Sequence, residues 1–298
     1  MASLKEIRTR ITSVSSTRQI TSAMKMVAAA KLKKAQDTIL MMRPYANKLQ
    51  EILSTLSSDN EGNDDNPYAR VRNLESVLIV AVTSNRGSCG AFNMNVIKRA
   101  LLVANEKYGH LMSEGKVYFM PIGKKAHDFF VKKNYRIIEG NYNALVDHPN
   151  FDITIPAAQM LMDKFNDGSY DNIEIVYNQF KNAAVQIVTE EQFLPIPKLE
   201  KKKSDARIKP VQYDFIFEPS KEFIIQELIP KSLKIQLYKA LIDSVASEHG
   251  ARMTAMHKAT DNATEIIKDY KLQYNKARQA AITKEILEIV SGAEALRG

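Results

Sequence analysis

The chain of 298 residues contains one cysteine, Cys89, and no tryptophan. A single cysteine excludes an intramolecular disulfide and a thiolate metal cluster, and it is typical of proteins from a reducing compartment. No apolar run reaches the ~18 residues that a membrane-spanning helix needs, and no secretory apolar region is present. With 45% hydrophobic and 26% charged residues, the composition predicts a soluble protein with a core.

Helix-breaking residues are scarce at both ends of the chain. Neither glycine nor proline occurs before Pro44, no proline follows Pro230, and Gly250 is the only glycine between Pro230 and Gly292. Helical sequence extending over more than ~25 residues is typical of coiled coils, membrane spans and helical repeats. At ~1.5 Å per residue, a helix over 231–296 would be roughly 100 Å long. The two ends therefore predict a shaft.

Apolar residues recur every three or four positions in both terminal segments. The first segment carries Leu4, Ile7, Ile11 and Val14, and then Ile20, Met24 and Val27. The last carries Met256, Ala259, Ala263, Ile266, Tyr270, Tyr274, Ala277 and Ala281. This spacing is typical of a coiled-coil seam, and its alanines permit close helix approach. We expect the two segments to pack antiparallel, with two separate core helices as the alternative.

The positive charge is concentrated in the terminal segments. Residues 1–56 hold ten Lys/Arg and three Asp/Glu, which accounts for +7 of a net charge of +8. A basic helix can bind nucleic acid, an anionic membrane surface or an acidic protein. The Arg- and Ser/Thr-rich start also resembles an organelle transit peptide, but the helical pattern continues well beyond a presequence, to about Leu56.

The middle of the chain predicts an α/β domain with a mainly parallel sheet. Strands are expected at 76–82, 116–122, 173–178 and 184–189, and helices at 93–107, 125–132 and 154–165. Two polar stretches, 57–66 and 199–209, are expected to be solvated loops, the second carrying Lys201, Lys202 and Lys203.

The best candidate for a catalytic loop is the turn Thr83 to Gly90 after the first strand. Its spacing matches neither a dinucleotide loop, nor a Walker loop, nor a nucleophile elbow. Cys89 could be a nucleophile, but the sequence assigns it no particular histidine as a base, and a buried structural cysteine is the favoured interpretation. The five histidines are scattered and no carboxylate pair is apparent. The sequence therefore predicts no catalytic residues, no metal site and no cofactor.

Several motifs follow one another in a specific order. The N-terminal motifs are Ile7-Arg8, Ala23-Met24, Met26-Val27-Ala28-Ala29 and Arg43-Pro44-Tyr45. The C-terminal motifs are Ala259-Thr260-Asp261-Asn262-Ala263, Tyr274-Asn275-Lys276-Ala277-Arg278-Gln279-Ala280 and Glu288-Ile289-Val290-Ser291-Gly292-Ala293. With Phe217-Glu218-Pro219 between them, the sequence resembles the gamma subunits of F-type ATP synthases over essentially its whole length.

The resemblance implies a long antiparallel coiled coil of the N- and C-terminal helices together with a Rossmann-like α/β domain. The expected segments are a helix over 1–56, the α/β domain over 57–220 and a second helix over 221–298. In the family this subunit is the rotor of the central stalk, without an active site of its own. Proton flow turns a ring of c subunits, and the turning shaft drives conformational change in the catalytic beta subunits.

The resemblance also implies partners and binding residues. Contacts with the hexamer of alpha and beta subunits are expected at Met24, Arg252, Arg278, Gln279 and Thr283. Contacts with the c ring are expected at Phe217 and Glu218. The epsilon subunit is the remaining expected partner, and nucleic acid is not expected. Membrane association is expected only through the complex, at the cytoplasmic face of a bacterial inner membrane.

The turn after the first strand departs from the family pattern. Asn85 stands where aspartate is common, and Ser88 and Ala91 stand where leucine and glycine are usual. The regulatory cysteine pair of the chloroplast branch is impossible with one cysteine. Two other functions remain open: an α/β enzyme using Arg86 to Gly90, and a basic coiled-coil protein that binds nucleic acid.

Overall fold

The computed structural model describes residues 3–58, 67–196 and 221–295. Strands and helices alternate between two long terminal helices. In chain order the elements are α1 (Leu4–Ser58), β1 (Val77–Val82), α2 (Phe92–Ser113), β2 (Val117–Ile122), α3 (Lys124–Lys132), α4 (Ala144–Asp147), α5 (Phe151–Asn166), β3 (Asn172–Phe180), β4 (Gln186–Leu194) and α6 (Lys221–Ala295). A short 3-10 helix, Pro67–Ala69, precedes β1.

The contacts divide the chain into two compact units. The first unit contains Met1–Ala29 and Arg252–Gly298, and the second contains Ala30–Ala251. Since α1 and α6 are continuous helices, each contributes residues to both units. The expected solvated loop at 57–66 begins inside α1, since Ser57 and Ser58 are helical, and its remainder lies outside the described residues. The stretch 199–209 also lies outside them.

In the first unit, the two helices run antiparallel. The hydroxyl oxygens of Thr21 and Thr260 are 2.8 Å apart and share a hydrogen bond. The side chain of Tyr270 lies near that of Arg10 and is the main cause of the raised pKa of Arg10. Residue numbers therefore rise along one helix while they fall along the other. This confirms the antiparallel pairing that the apolar stripes predicted.

The residues that face the seam follow an unbroken seven-residue repeat. All the following positions are buried or half-buried, at alternating spacings of three and four. In α1 they are Leu4, Ile7, Ile11, Val14, Arg18, Thr21, Lys25 and Ala28. In α6 they are Met256, Thr260, Ala263, Ile267, Tyr270, Tyr274, Ala277 and Ala281. A sustained repeat of this kind keeps one face of each helix against its partner.

The prediction of the seam was wrong at three positions. Ile20 and Val27 are 61% and 58% exposed, and Ile266 is 43% exposed, whereas Ile267 beside it is 8% exposed. The repeat continues through the polar stretch of α1, so Thr21 lies inside although it is polar. Residue type alone predicted that these apolar side chains face the seam. The helical phase turns them outward instead.

Two isoleucines in adjacent positions test this assignment. Ile267→Ala should lower the free energy of unfolding of the helical unit by about 2 kcal/mol, because it removes buried methyl groups. Ile266→Ala should cost clearly less, because that side chain faces away from the seam and is 43% exposed. Urea unfolding of the full chain, followed by far-ultraviolet circular dichroism, measures both values. Equal losses would contradict the seven-residue phase.

In the second unit, the sheet has the strand order β2-β1-β3-β4. β1 is parallel to both β2 and β3, and β4 is antiparallel to β3. All six residues of β1 are buried, as expected for a central strand covered on both faces. The expected α/β fold with a mainly parallel sheet is confirmed, and the antiparallel edge strand completes it.

Alternate residues of β1 supply two separate cores. Leu78, Val80 and Val82 pack into a cluster that includes residues of α5 and α6. Val77, Ile79 and Ala81 point to the other face, where the core includes residues of α2 and α3. Because successive side chains of a strand alternate between faces, one short apolar strand serves both cores. The sheet thus forms the middle of three layers.

The part of α6 in the second unit is packed closely against the sheet. Leu233, Leu237, Leu241 and Val245 belong to the same core as the inner face of β1. A side chain at Gly250 would place its Cβ only 3.0 Å from the backbone oxygen of Ala183, so glycine permits this close approach. Apolar burial and a small residue together hold this helix on the sheet.

Candidate functional site

The turn after β1 is held by side-chain hydrogen bonds. The backbone N–H of Ser84 donates to Asn93 Oδ1 at 2.8 Å. Asn85 Nδ2 donates to the carbonyl of Asn143 at 2.9 Å, and Asn85 Oδ1 accepts from the backbone N–H of Lys124 at 2.9 Å. An ionised aspartate at position 85 could accept but could not donate. Asparagine in place of the family's usual aspartate at position 85 therefore suits the local contacts. The turn has a structural role, because it connects β1 to neighbouring segments through these hydrogen bonds.

Cys89 is a buried member of the same turn. Its side chain is 1% exposed, and Asn93 Nδ2 donates to its sulfur at 3.2 Å. Ser88 and Gly90 on either side have φ values of 64° and 61°. A nucleophilic thiol must be reachable by its substrate, which this burial prevents. The predicted burial of Cys89 is confirmed, and its contacts suit a structural role in the turn.

A second polar cluster joins α2 to the sheet. Glu174 of β3 is 3% exposed and accepts from Tyr108 Oη at 2.5 Å and from Lys107 Nζ at 3.0 Å. Lys107 also lies 3.5 Å from Glu190 of β4, which forms an ion pair with Arg99 at 3.0 Å. Burial and the adjacent Glu174 raise the pKa of Tyr108. Every charge in this cluster has a partner, so the cluster holds elements together.

Asp243 of α6 is a buried carboxyl group with a clearly raised pKa. Burial raises its pKa from 3.8 to about 6, while the positive charges of Lys239 and Arg43 act in the opposite direction. Glu191 of β4 adds to the upward shift. A perturbed carboxyl group is a candidate catalytic residue when it lies in a cleft. Asp243 is only 3% exposed, so no substrate can reach it.

The surroundings of Asp243 are those of a packed helix. Ser247, one turn further along α6, is fully buried and donates through Oγ to the carbonyl of Asn178 at 3.0 Å. Gln236, two turns earlier, donates to the carbonyl of Gln192 at 3.1 Å. Sequence reasoning missed Asp243 because an acidic residue in a long helix is usually solvent-exposed.

Asp243 should make stability depend on pH. Its folded pKa lies above its unfolded value, so the folded state favours the neutral acid and loses stability as pH rises from about 4 through about 6. Asp243→Asn should therefore be more stable than the wild type by up to about 3 kcal/mol above pH 7, with the gain disappearing below pH 4. Urea unfolding across this range measures the difference.

Asp163→Asn is the matched control, since Asp163 is exposed in the same unit. Its difference from the wild type should stay small at every pH. A constant difference for Asp243→Asn across the pH range would contradict the assignment of the shift to burial.

The described residues offer neither a cluster of metal ligands nor a membrane-spanning helix. Residues 3–58, 67–196 and 221–295 contain no group of three or more His, Cys, Asp or Glu side chains placed to hold a metal ion. None of the helices in these ranges is long and apolar enough to cross a bilayer. A groove of about 280 Å³ in the second unit offers one charged side chain, Lys231, amid lining that is otherwise apolar or aromatic (Met42, Tyr45, Phe151, Ile235 and Tyr238).

The sequence-predicted binding residues fall into two groups in the first unit. Met24 and Arg252 are half-buried, whereas Arg278, Gln279 and Thr283 are exposed. Arg252 and Arg278 are 26 residues apart on α6 (278 − 252), which corresponds to about 39 Å along a helix. The structure therefore does not bring all five residues together. The remaining two predicted positions, 217 and 218, lie outside the described residues.

Sequence reasoning missed an exposed apolar surface at the end of α6. Every residue from 282 to 295 is exposed, and the exposed large apolar side chains there are Ile282, Ile286, Leu287, Ile289 and Val290. In the antiparallel register, the start of α1 lies near Ala277, so α6 continues without α1 beside it. Apolar side chains grouped on a surface mark a site of interaction. The signal was present as a helical apolar pattern with no counterpart in α1.

The fold and this surface place the chain in the class of proteins that combine an α/β unit with a two-helix unit. The end of the two-helix unit carries apolar and basic side chains suited to an enclosing protein partner.

Comparison with known proteins identifies the family. The family model described as ATP synthase matches residues 3–296. The ATP synthase gamma chain of Flavobacterium johnsoniae is 58% identical over 298 residues, and that of Flavobacterium psychrophilum is 59% identical over 298 residues, with 100% of each chain covered in both cases. The chain belongs to the ATP synthase gamma-chain family. The resemblance seen in the sequence is confirmed, as is the role of a non-catalytic central-stalk subunit that it implied.

A solved structure agrees on the fold. A chain of the Euglena gracilis mitochondrial ATP synthase, from a structure with F1 and the c-ring, superposes with a TM-score of 0.68 at 24% identity. The match covers 98% of this chain and 94% of the Euglena chain. A second Euglena chain, from the rotor in rotational state 1, gives a TM-score of 0.63 at 23% identity, with 94% and 98% covered.

Proposed function

We propose that this chain transmits rotation from a c ring to the catalytic beta subunits of an F-type ATP synthase. Its partners are the alpha and beta subunits, the epsilon subunit and the c ring. The proposal keeps the division into a helix over 1–56, an α/β domain over 57–220 and a helix over 221–298. The observation that carries it is the end of α6, where basic and apolar side chains are exposed together in a gamma-chain sequence.

The exposed apolar side chains support enclosure by other subunits. Ile289 and Leu287 are 72% and 62% exposed, and Ile282, Ile286 and Val290 are each about half-exposed. Leaving so many apolar groups in water is unfavourable, and burying them against an apolar sleeve recovers that free energy. We propose the alpha and beta hexamer as this sleeve.

The charged residues supply the second part of the contact. Arg278 is exposed on α6, and Lys5, Arg8 and Arg10 are exposed on α1. Positive side chains suit acidic loops of surrounding subunits, and complementary charge favours one orientation over others. Met24 and Arg252 form a second contact further along the same unit, and Gln279 and Thr283 flank the charge of Arg278.

The mechanism is differential binding. A shaft whose surface differs from side to side stabilises a different conformation in each beta subunit that it faces. Turning the shaft then changes which conformation each subunit favours, and so changes its affinity for nucleotide. The shaft needs no reactive group for this role, because the chemistry takes place in the beta subunits.

The proposal extends to the other end of the complex and to its location. Phe217 and Glu218 are assigned to contact with the c ring. The complex is assigned to the cytoplasmic face of a bacterial inner membrane, and this chain is held there through its partners. The assignment to the ATP synthase gamma-chain family supports this location.

Reconstitution with alpha and beta subunits tests the role. The wild-type chain should be required for rotation-coupled ATP hydrolysis. Arg278→Ala should lower the coupled rate about tenfold, because one charge-assisted hydrogen bond is lost. Lys133→Ala, which removes an exposed charge from the α/β unit, should leave the rate within about twofold, as expected for a surface charge with little energetic effect.

Three results would count against the proposal. Turnover of ATP by the purified chain alone would favour the α/β enzyme, particularly if Cys89→Ser abolished it. DNA binding with a steep salt dependence would favour the nucleic-acid binder. Equal rates for Arg278→Ala and the wild type would remove Arg278 from the contact with the hexamer.

A further inference from the structure

The face of α6 that forms the seam becomes polar where α1 no longer lies beside it. The last seam positions of α6 are Ala277 and Ala281, which are half-buried. Continuing the same alternation of three and four residues leads to Lys284 and Glu288, which form an ion pair at 3.6 Å. The continued seam face therefore offers charges and not a packing surface.

The apolar side chains at this end lie on another side of the helix. Ile282, Ile286 and Ile289 follow one another at spacings of four and three residues, and each is about half-exposed or more. Each lies one or two positions beyond a residue of the seam face, and one position turns the helix by about 100°. We call these three isoleucines the terminal stripe. Because the terminal stripe points away from the seam face, a partner for it must approach from a different direction than α1.

Charged residues around the terminal stripe follow a definite order along the helix. Within residues 276–295, three basic side chains come first and three acidic ones follow, all of them exposed: Lys276, Arg278 and Lys284, then Glu285, Glu288 and Glu294. This order does not stabilise the helix itself, since negative charge near a helix C-terminus opposes the helix dipole. The order suits a second helix that runs in the opposite direction with the same distribution of charge.

A second copy of this chain supplies such a helix. Antiparallel pairing of two α6 ends about a point near Ile286 places the basic half of each copy beside the acidic half of the other. Lys276 and Glu294 are about five turns apart, so they lie on the same side of the helix, and the pairing brings Lys276 of one copy opposite Glu294 of the other. The terminal stripe complements itself in the same pairing, because Ile282 and Ile289 lie on either side of Ile286 and exchange places.

We propose that the free chain pairs with a second copy of itself through the terminal stripe, with the two α6 ends antiparallel. A symmetric pair buries the same surface on both copies, and it gives a packing partner to a helix end that otherwise has none. The pair is weak, because three isoleucines on each copy bury far less than the roughly 1,600 Å² of a stable interface.

This inference goes beyond the proposed function, since it concerns the chain before assembly. In the complex, the sleeve of alpha and beta subunits covers the same side chains, so self-pairing and assembly compete for one surface. Self-pairing keeps the apolar end out of water until the sleeve replaces the second copy.

Sedimentation equilibrium of the purified full chain tests the pairing. We expect a monomer–dimer equilibrium with a Kd on the order of 10 µM. Ile286→Ser should raise this Kd at least about tenfold, because it removes an apolar side chain from the centre of both stripes. Ile266→Ser is the matched control, since Ile266 is an exposed isoleucine of the same helix outside the terminal stripe, and it should leave the Kd within about twofold.

Cysteine cross-linking tests the orientation. The native Cys89 is buried, so an introduced surface cysteine is the reactive one. Ile286→Cys should form a disulfide-linked dimer by itself, because antiparallel pairing brings position 286 of both copies together. Ile282→Cys and Ile289→Cys should cross-link poorly alone and efficiently when the two variants are mixed.

Several results would overturn the proposal. A chain that stays monomeric up to about 100 µM, or a dimer that Ile286→Ser leaves unchanged, would exclude the terminal stripe as the contact. Equal self-cross-linking at positions 282, 286 and 289 would show a parallel pair instead. Assembly of the oxidised Ile286→Cys dimer with alpha and beta subunits would contradict the shared surface, since only the reduced chain should assemble. Failure of the wild-type chain to support coupled hydrolysis would contradict the proposed function and leave self-pairing unaffected.

Discussion

The packing of one face of α6 against two different partners is the constraint on which the rest of the structure depends. An isolated helix of 75 residues gains little stability in water from propensity alone, so α6 needs packing partners along its length. Leu233, Leu237 and Leu241 find them in the core beneath the sheet. In the first unit, Met256 and Ile267 find them in the seam with α1. Where the seam ends, the helix continues with its apolar side chains exposed, and that end is available to another protein.

Polar side chains inside the second unit also help to hold its helices against the sheet. Buried Glu174 of β3 pairs with Lys107 of α2, which also lies near Glu190 of β4, and the hydroxyl of Ser247 is bonded to the sheet. Asp243 is the costly exception, because its burial disfavours the charged form. These groups orient the elements of the unit and hold them together. A domain of the class that often binds nucleotides is used here as a packed support for a helix.

Much of the fold could be predicted from the residues. The absence of helix breakers predicted both long helices, and apolar runs such as Val77–Val82 predicted the sheet. The antiparallel pairing followed from two apolar stripes on one chain. The family motifs led to the right family. The binding positions 24, 252, 278, 279 and 283 came from the same family resemblance and remain proposals, because they depend on contacts with other chains.

Tertiary structure decided what depends on helical phase and on distant neighbours. Only the packed pair of helices turns Ile20 outward and Thr21 inward, since the repeat is set by the whole seam and not by the polarity of one residue. Only the folded sheet buries Asp243 or gives Asn85 both of its hydrogen-bond partners. Local sequence determines helix, strand and family, because these depend on propensity and pattern. Exposure, pKa and the direction in which a hydroxyl donates depend on which atoms of distant residues lie within a few ångströms.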